Sequence, residues 1–400
     1  MKKILVITAG LLPIPVSKGG AVEHLIENIL DKNEIDTQFN IHLVSTFDQK
    51  SLELSQKYKN THVFFVENSS PFKEISLFWK KCLKVATRKL LSKRSIFIEY
   101  PEIIEKSKKM LRQNQYEKVV IINYPELVLP LNNLIDGEKI LYLHNDNLNE
   151  LTVRAKKIYE SFDKCISVSR FINQRVSTVN VSNDKLKKFI VYNGKDGVEI
   201  KNKNKKNSLR EQFNFGKDDF IAVYIGRLIE QKGVMFIIEA LEFLPEYFKV
   251  LIVGGTFYEL NKENHYVRNL KKVAKQFGNR VIFTGYQEAS LIPSFLSISD
   301  VGIVPTLSDE AFAMSALEIQ MAGIPLICTN VGGLPEVRND KTSIMLDINS
   351  GNLAQEIARA EHFLSHKNVR DKMGLAAFQF SKEFSAEKQI QGFIDSVMYE

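Results

Sequence analysis

Two glutamates, Glu310 and Glu318, stand eight positions apart in EAFAMSALEIQMAGIP (310–325), with small or apolar residues almost everywhere between them. Charged side chains are rarely buried without a partner, so a polar ligand is one complement of such a pair. If both ride on one helix, their separation along the axis is about 12 Å. That is of the order of the span from a sugar ring, across a diphosphate, to a ribose. Glu310 then accepts hydrogen bonds from sugar hydroxyls and Glu318 from a ribose diol. Between them the backbone of Ala311, Phe312, Ala313, Met314 and Ser315 can approach the phosphates. A plainer account makes Glu310 an acid favoured at a helix N-terminus and Glu318 a solvated helix position.

Cations and bare backbone lie elsewhere in the chain. YIGRLIEQKGVMFIIEAL (224–241) puts Arg227 and Lys232 between a strand end and a helix bearing Val234, Ile237, Ile238 and Leu241. An arginine fork and a lysine point charge suit a diphosphate; a solvated loop with Glu230 as partner is the alternative. In SKGGAVEHLIENIL (17–30), Val22, Leu25, Ile26, Ile29 and Leu30 follow a helical period starting near Gly20 or Ala21. Gly19 and Gly20 then leave exposed N–H groups at a helix N-terminus, suited to a phosphate or simply to a tight turn. ILYLHND (140–146) ends an apolar strand on His144, placed to touch a substrate or to be satisfied by backbone, with Asn145, Asp146 and Asn147 beside it. TNVGGLPEV (329–337) offers a second Gly-Gly junction, with Pro335 suited to a first helical turn. In IFTGYQ (282–287), Tyr286 can border a planar base or pack on its neighbours. The plain accounts explain these residues singly. They do not explain the glutamate pair together with Arg227, Lys232 and a Gly-Gly turn.

The elements that must position these groups are legible as a repeated change of period. KILVITA, NIHLVST, HVFFVE, KVVIINY, KILYLHN and KCISVSR read as strands in the first half. FIAVYIG, FKVLIVGG, RVIFTG, VGIVPT, PLICTN and SIMLD do so in the second. Amphipathic helical patterns separate most of them. Strands that are apolar throughout, alternating with helices, indicate parallel sheets covered on both faces. A chain of 400 residues exceeds one ordinary core, and domains run to roughly 150–200 residues. The expected architecture is α/β, with two Rossmann-like, doubly wound domains. Ligands of such sheets bind beyond the carboxyl ends of the strands, so two of them facing each other make an interdomain cleft. The boundary is expected near FIVYNGKDGVEI (189–200), followed by KNKNKKNSLR (201–210), whose polarity reads as a solvated loop.

Composition narrows the classes. Hydrophobic residues make up 44% and charged residues 25%, ordinary for a soluble globular chain. The three cysteines, Cys82, Cys165 and Cys328, form no C-x-x-C, which points to a reducing compartment and away from a disulfide framework or zinc site. MKKILVITAG reads as a first strand rather than a signal peptide, and there is no apolar stretch of roughly 18 residues to span a bilayer. A net charge of +7 suits a phosphorylated substrate, anionic lipid or nucleic acid, but no aromatic-basic nucleic-acid module accompanies it.

The ordered set resembles glycosyltransferase family 4, retaining sugar transferases of the GT-B fold. The resemblance spans essentially the whole chain. It rests on GGAVEHLIENIL, YNGKDGVEI, GRLIEQKG and EAFAMSALEIQMAGIPLICTNVGGLPEV, whose Glu310 and Glu318 match the family's E-x7-E. FDKCISVSRFI (162–172) is similar to the family's last N-domain strand and FSAEKQIQGFI to its closing helix. The resemblance implies an acceptor-binding domain over 1–190, a nucleotide-sugar domain over 191–380 and a C-terminal helix, 381–400, crossing back to the first domain. It also implies that Arg227 and Lys232 neutralise the diphosphate leaving group and that Gly20 approaches it with backbone N–H. Glu310 then binds donor-sugar hydroxyls, Glu318 the ribose, and His144 lies near the reacting carbon. Asn193 fits the N-G turn of the crossover. The family commonly has glycine where Ala311 and Ala313 stand, and each methyl narrows the approach of the donor sugar.

The implied activity is retaining transfer of a hexose-type sugar from a nucleotide-diphosphate donor, UDP-sugar by default, to a saccharide or lipid-linked acceptor in surface polysaccharide or glycoconjugate assembly. No cofactor is expected, and the cations replace a divalent metal. The location expected is cytoplasmic. EISLFWKKCLKVATRKLLSKR (74–94) places Trp79, Leu83, Ala86 and Leu90 on one helical face and Lys80, Lys81, Lys84 and Arg88 opposite. Such a helix can dock on an anionic membrane or pack on a domain with its basic face solvated. A non-catalytic homologue acting as partner or chaperone of another transferase is the competing class, supported by Ala311 and Ala313 and opposed by the intact Glu310, Glu318, Arg227 and Lys232. A nicotinamide oxidoreductase would need G-x-G-x-x-G after the first strand, which TAGLLPIPVSKGG does not supply.

Overall fold

The apolar runs pair into two parallel sheets in the computed structural model, which describes residues 1–8, 12–67, 101–197, 203–256 and 264–400. The basic stretch 74–94 lies outside the described residues. The chain divides into two compact units, Met1–Tyr192 with Ile390–Glu400, and Asn193–Gln389.

In the first unit, β1 (Lys2–Ile7), β2 (Phe39–Thr46), β3 (Thr61–Val66), β4 (Lys118–Ile122), β5 (Glu138–Leu143), β6 (Lys164–Ser167) and β7 (Lys187–Ile190) form one sheet in the order β3-β2-β1-β4-β5-β6-β7. Ile4 pairs with Ile41 of β2 on one side and with Lys118 of β4 on the other. In the second, β8 (Phe220–Ile225), β9 (Phe248–Val253), β10 (Val281–Gly285), β11 (Val301–Val304), β12 (Leu326–Thr329) and β13 (Ser343–Leu346) run in the order β10-β9-β8-β11-β12-β13. Every residue of β8 and β9 is buried, as a strand covered on both faces requires. Ile237 and Ile238 from helix Val234–Glu239 and Ile357 and Leu364 from helix Leu353–Ser365 complete that core. Each such side chain is worth about 1.5–3 kcal/mol of burial.

In both sheets the first strand sits inside. β1 lies between β2 and β4, and β8 between β9 and β11. The winding reverses there, and open sheets of this kind bind ligands beyond the carboxyl ends of the strands at such a reversal.

The structure departs from expectation in four places. β7 is an additional strand. Its sequence, KKFI, is short, polar at its start and only partly buried, so it carries no apolar run; it is held because Cys165 pairs with Lys188 and Ile166 with Phe189. Residues 203–212, expected to begin as loop, form helix Lys203–Gln212. Lys, Arg, Gln, Glu and Leu are good helix formers, and polarity alone does not exclude helix. Arg210 ties its end down, donating to the carbonyls of Ile298 (3.1 Å), Gly216 (2.8 Å) and Asp219 (2.7 Å).

The third difference is at the chain's end. Residues 381–389 stay with the second unit, because Phe384 is buried against Phe312 and Phe380 and its carbonyl accepts from Lys195 N–H at 3.1 Å. Within helix Ala386–Met398 the division falls at Ile390. Phe393 packs against Tyr142, ring centroids 5.3 Å apart, and buried Lys164 donates to the carbonyls of Val397 and Tyr399. The fourth concerns the helix after β11. It starts only at Met314 and ends at Met321, so Glu310 lies in the preceding loop and the helical separation of about 12 Å does not apply. Ala313 has φ −87° and ψ 86°, outside the helical range, and Phe312 is buried against Phe384. Glu318 is one turn into the helix.

Candidate functional site

The loops after β8 and β11 bring Lys232 and Glu310 together. After β8 the chain turns through Arg227 and a short 3-10 segment, Glu230–Lys232, into Gly233 at φ +68°. A Cβ at Gly233 would lie 2.1 Å from the carbonyl oxygen of Pro305, so only glycine lets this loop close on the loop after β11. Leu307 N–H and Thr306 Oγ1 donate to the Gln231 carbonyl at 2.8 and 3.1 Å and stitch the two loops together. That contact sets Lys232 against Glu310, whose carboxylate pairs with the lysine ammonium. Their side chains are 19% and 22% exposed, a setting in which a pair is screened less than at the surface.

Glu310 is held from the other side by the second Gly-Gly. Gly332 has φ +59°, and a Cβ there would lie 2.3 Å from Glu310 N. Gly333 N–H donates to the Glu310 carbonyl at 2.6 Å. TNVGGLPEV therefore clamps the Glu310 backbone. Tyr224, buried at the end of β8, donates its hydroxyl to the Arg227 carbonyl at 2.8 Å. Burial first, then the charge of Glu310, pushes that hydroxyl above its ordinary range. Arg227 itself is exposed.

Glu318 has a partner that the sequence did not suggest. Lys195, in YNGKDGVEI, donates to Glu318 Oε1. The signal in that segment is a cation two positions after Asn193, at the crossover. The intervening residues fall into two groups. Phe312 and Ala313 are buried, whereas Ala311, Met314 and Ser315 are half-buried. Tyr286 follows β10, two strands from β8, or about 9–10 Å across the sheet, and is half-buried.

The first unit places its own candidates around β4 and β5. Asn123, just past β4, takes φ +62°, a region asparagine tolerates better than most residues. Its side-chain oxygen accepts from His144 N–H at 2.7 Å and its carbonyl from Asn147 Nδ2 at 2.7 Å. His144 is buried, 4% exposed, with its ring centroid 4.2 Å from that of Tyr142. Asn123 is thus a positioning hub hidden inside an apparent strand run. Gly19 and Gly20 precede helix Ala21–Asp36, as the period indicated. The Gly20 turn is covered by a carboxylate: a Cβ there would lie 2.1 Å from Glu23 Oε2. Burial raises the Glu23 pKa, opposed by a bond from its own N–H.

Among the described residues, no group of three or more His, Cys, Asp or Glu side chains is placed to hold a metal ion, and no helix is long and apolar enough to cross a membrane. Cys165 and Cys328 are buried free thiols.

Residues 205–380 match the family described as glycosyl transferases group 1. The match covers GRLIEQKG and the Glu310–Glu318 segment. The lipopolysaccharide 1,2-N-acetylglucosaminetransferase of Salmonella typhimurium is 28% identical over 205 residues, 50% of this chain and 51% of that protein. Spore coat protein SA of Bacillus subtilis is 24% identical over 389 residues, covering 93% and 92% of the two chains. Among solved structures, Anabaena HepE in complex with UDP and glucose aligns with a TM-score of 0.74 and 16% identity over 100% of both chains. At that identity the likeness concerns the fold.

Proposed function

We propose that this chain is a retaining, family 4-type glycosyltransferase moving a hexose-type sugar from a nucleotide-diphosphate donor, UDP-sugar by default, to a saccharide or lipid-linked acceptor in surface polysaccharide assembly. The observation that carries the reading is the meeting of Lys232 with Glu310 at the β8/β11 reversal. A match to glycosyl transferases group 1 over the same unit supports it, as does the name of the Salmonella relative.

As the anomeric C–O bond breaks, negative charge grows on the diphosphate and positive charge on the sugar ring. Arg227 and Lys232 stabilise the first, preorganised and without a divalent metal. Lys232 serves two anions in turn. It neutralises Glu310 in the free protein, passes to the diphosphate when the donor arrives, and so releases the Glu310 carboxylate to accept from sugar hydroxyls. Glu318 takes the ribose diol. By the resemblance alone, His144 and the Gly20 backbone are the first unit's candidates for substrate contact.

The test is release of nucleoside diphosphate from a panel of UDP-, GDP- and ADP-sugars. At least one donor is turned over, at a rate unaffected by EDTA and abolished by Glu310→Ala. A panel in which no donor is consumed, with or without saccharide acceptors, contradicts the proposal.

A further inference from the structure

Lys195 and Glu318 are brought together from far apart in the chain, yet neither backbone has room to drift. Lys195 N–H donates to the Phe384 carbonyl at 3.1 Å and Gly194 N–H to Gln389 Oε1 at 3.4 Å. A Cβ at Gly194 would lie 2.1 Å from the Ser385 carbonyl oxygen, so this segment lies directly on residues 384–389. Glu318 sits on a helix whose Ala316, Leu317, Ile319 and Gln320 are buried, Gln320 donating to the Val337 carbonyl. The Glu318 side chain is 14% exposed and Lys195 33%. The ammonium engages Oε1, and Oε2 is the oxygen left to other donors.

We propose that Lys195 is a positioning residue for ribose recognition. It fixes the Glu318 carboxylate through Oε1, directs Oε2 at the vicinal diol of a nucleoside diphosphate, and cancels the carboxylate's charge beside the incoming phosphates. This presupposes the nucleotide site proposed above. Two consequences separate it from an ion pair that merely steadies the fold. Loss of Lys195 must weaken ribose recognition more than binding in general, and it must do so only while Glu318 is present. Arginine, which keeps the charge and can still hold one carboxylate oxygen, must substitute for it.

The experiment is calorimetric titration of UDP, GDP, ADP and CDP onto the full chain. The tightest of the four and its 2′-deoxy counterpart are then titrated onto Lys195→Met, Lys195→Arg, Glu318→Gln and the Lys195→Met/Glu318→Gln double variant. Wild type should favour the ribonucleotide by about tenfold, the scale of one hydrogen bond to a charged group. Lys195→Met should lose about tenfold in ribonucleotide affinity and most of that preference, Lys195→Arg should keep both, and adding Lys195→Met to Glu318→Gln should change little. Unchanged affinity and preference in Lys195→Met overturns the inference, as does an equal loss for ribo- and deoxynucleotide that persists without Glu318. Wild type binding none of the four overturns the nucleotide site itself, and the inference with it, an outcome distinguishable because it appears before any substitution.

Discussion

Lys232→Ala lowers kcat/KM for nucleotide-sugar turnover by about 10³-fold, the scale for removing one preorganised donor to developing charge. That corresponds to about 4 kcal/mol of transition-state stabilisation. The Lys232–Glu310 pair at the β8/β11 reversal makes the companion variant more telling. Glu310→Ala also abolishes turnover, because the sugar hydroxyls lose their acceptor. Yet it frees Lys232 from its resident carboxylate, so nucleoside diphosphate should bind as tightly as to wild type or more tightly. Initial rates of diphosphate release together with calorimetric binding distinguish the two effects. If Glu310→Ala loses diphosphate affinity as severely as Lys232→Ala, the exchange of Lys232 between Glu310 and phosphate is wrong.

The second large effect is on stability. Glu361, on helix Leu353–Ser365, is wholly buried, and among the described residues neither carboxyl oxygen has a hydrogen-bond partner. Arg280 exerts an opposing charge, but its guanidinium is committed to the carbonyls of Leu241, Leu244, Pro245 and Phe248. Burial pushes the Glu361 carboxyl from its ordinary 4.5 up to about 8. The folded chain therefore keeps a proton that the unfolded chain gives up near its ordinary value. The resulting stability is fully present below about pH 4.5 and is lost as pH rises through about 8. The slope is about 1.4 kcal/mol per pH unit across that window. Glu361→Gln removes the titration. At about pH 8 its thermal midpoint should exceed wild type by several degrees, at roughly 2–4 °C per kcal/mol for a unit of this size, and the gap should shrink toward about pH 5. Parallel midpoint-versus-pH curves for the two proteins would contradict this account of the buried acid.

What the sequence made legible follows from period and chemistry. β8 is an uninterrupted apolar run and β9 is broken only by Lys249, so their burial on both faces could be read directly. β7 could not, because KKFI owes its strand state to pairing with β6 rather than to its own composition. Helix Lys203–Gln212 was hidden by its polarity. At the site, residue types were informative but partners were not. Glu310, Glu318, Arg227 and Lys232 were visible as unusual charges near strand ends. The Lys232–Glu310 contact spans 78 positions and Lys195–Glu318 spans 123, and both are products of topology. The Gly332–Gly333 junction could not be read as a clamp, because Gly-Gly reads alike whether it faces a ligand or another stretch of backbone. Its left-handed residue presses on the Glu310 backbone, a long-range fact that no local pattern carries.

The most direct test of the central claim is binding of nucleoside diphosphate to the second unit's cations. Full-length protein is titrated with UDP, GDP, ADP and CDP, and the titration is repeated with the Arg227→Ala/Lys232→Ala double variant. The account predicts one saturable site for at least one nucleotide, with affinity reduced by about 10²-fold or more in the double variant, as the loss of two charge-assisted contacts implies. No binding by wild type, or equal binding by the double variant, would contradict it.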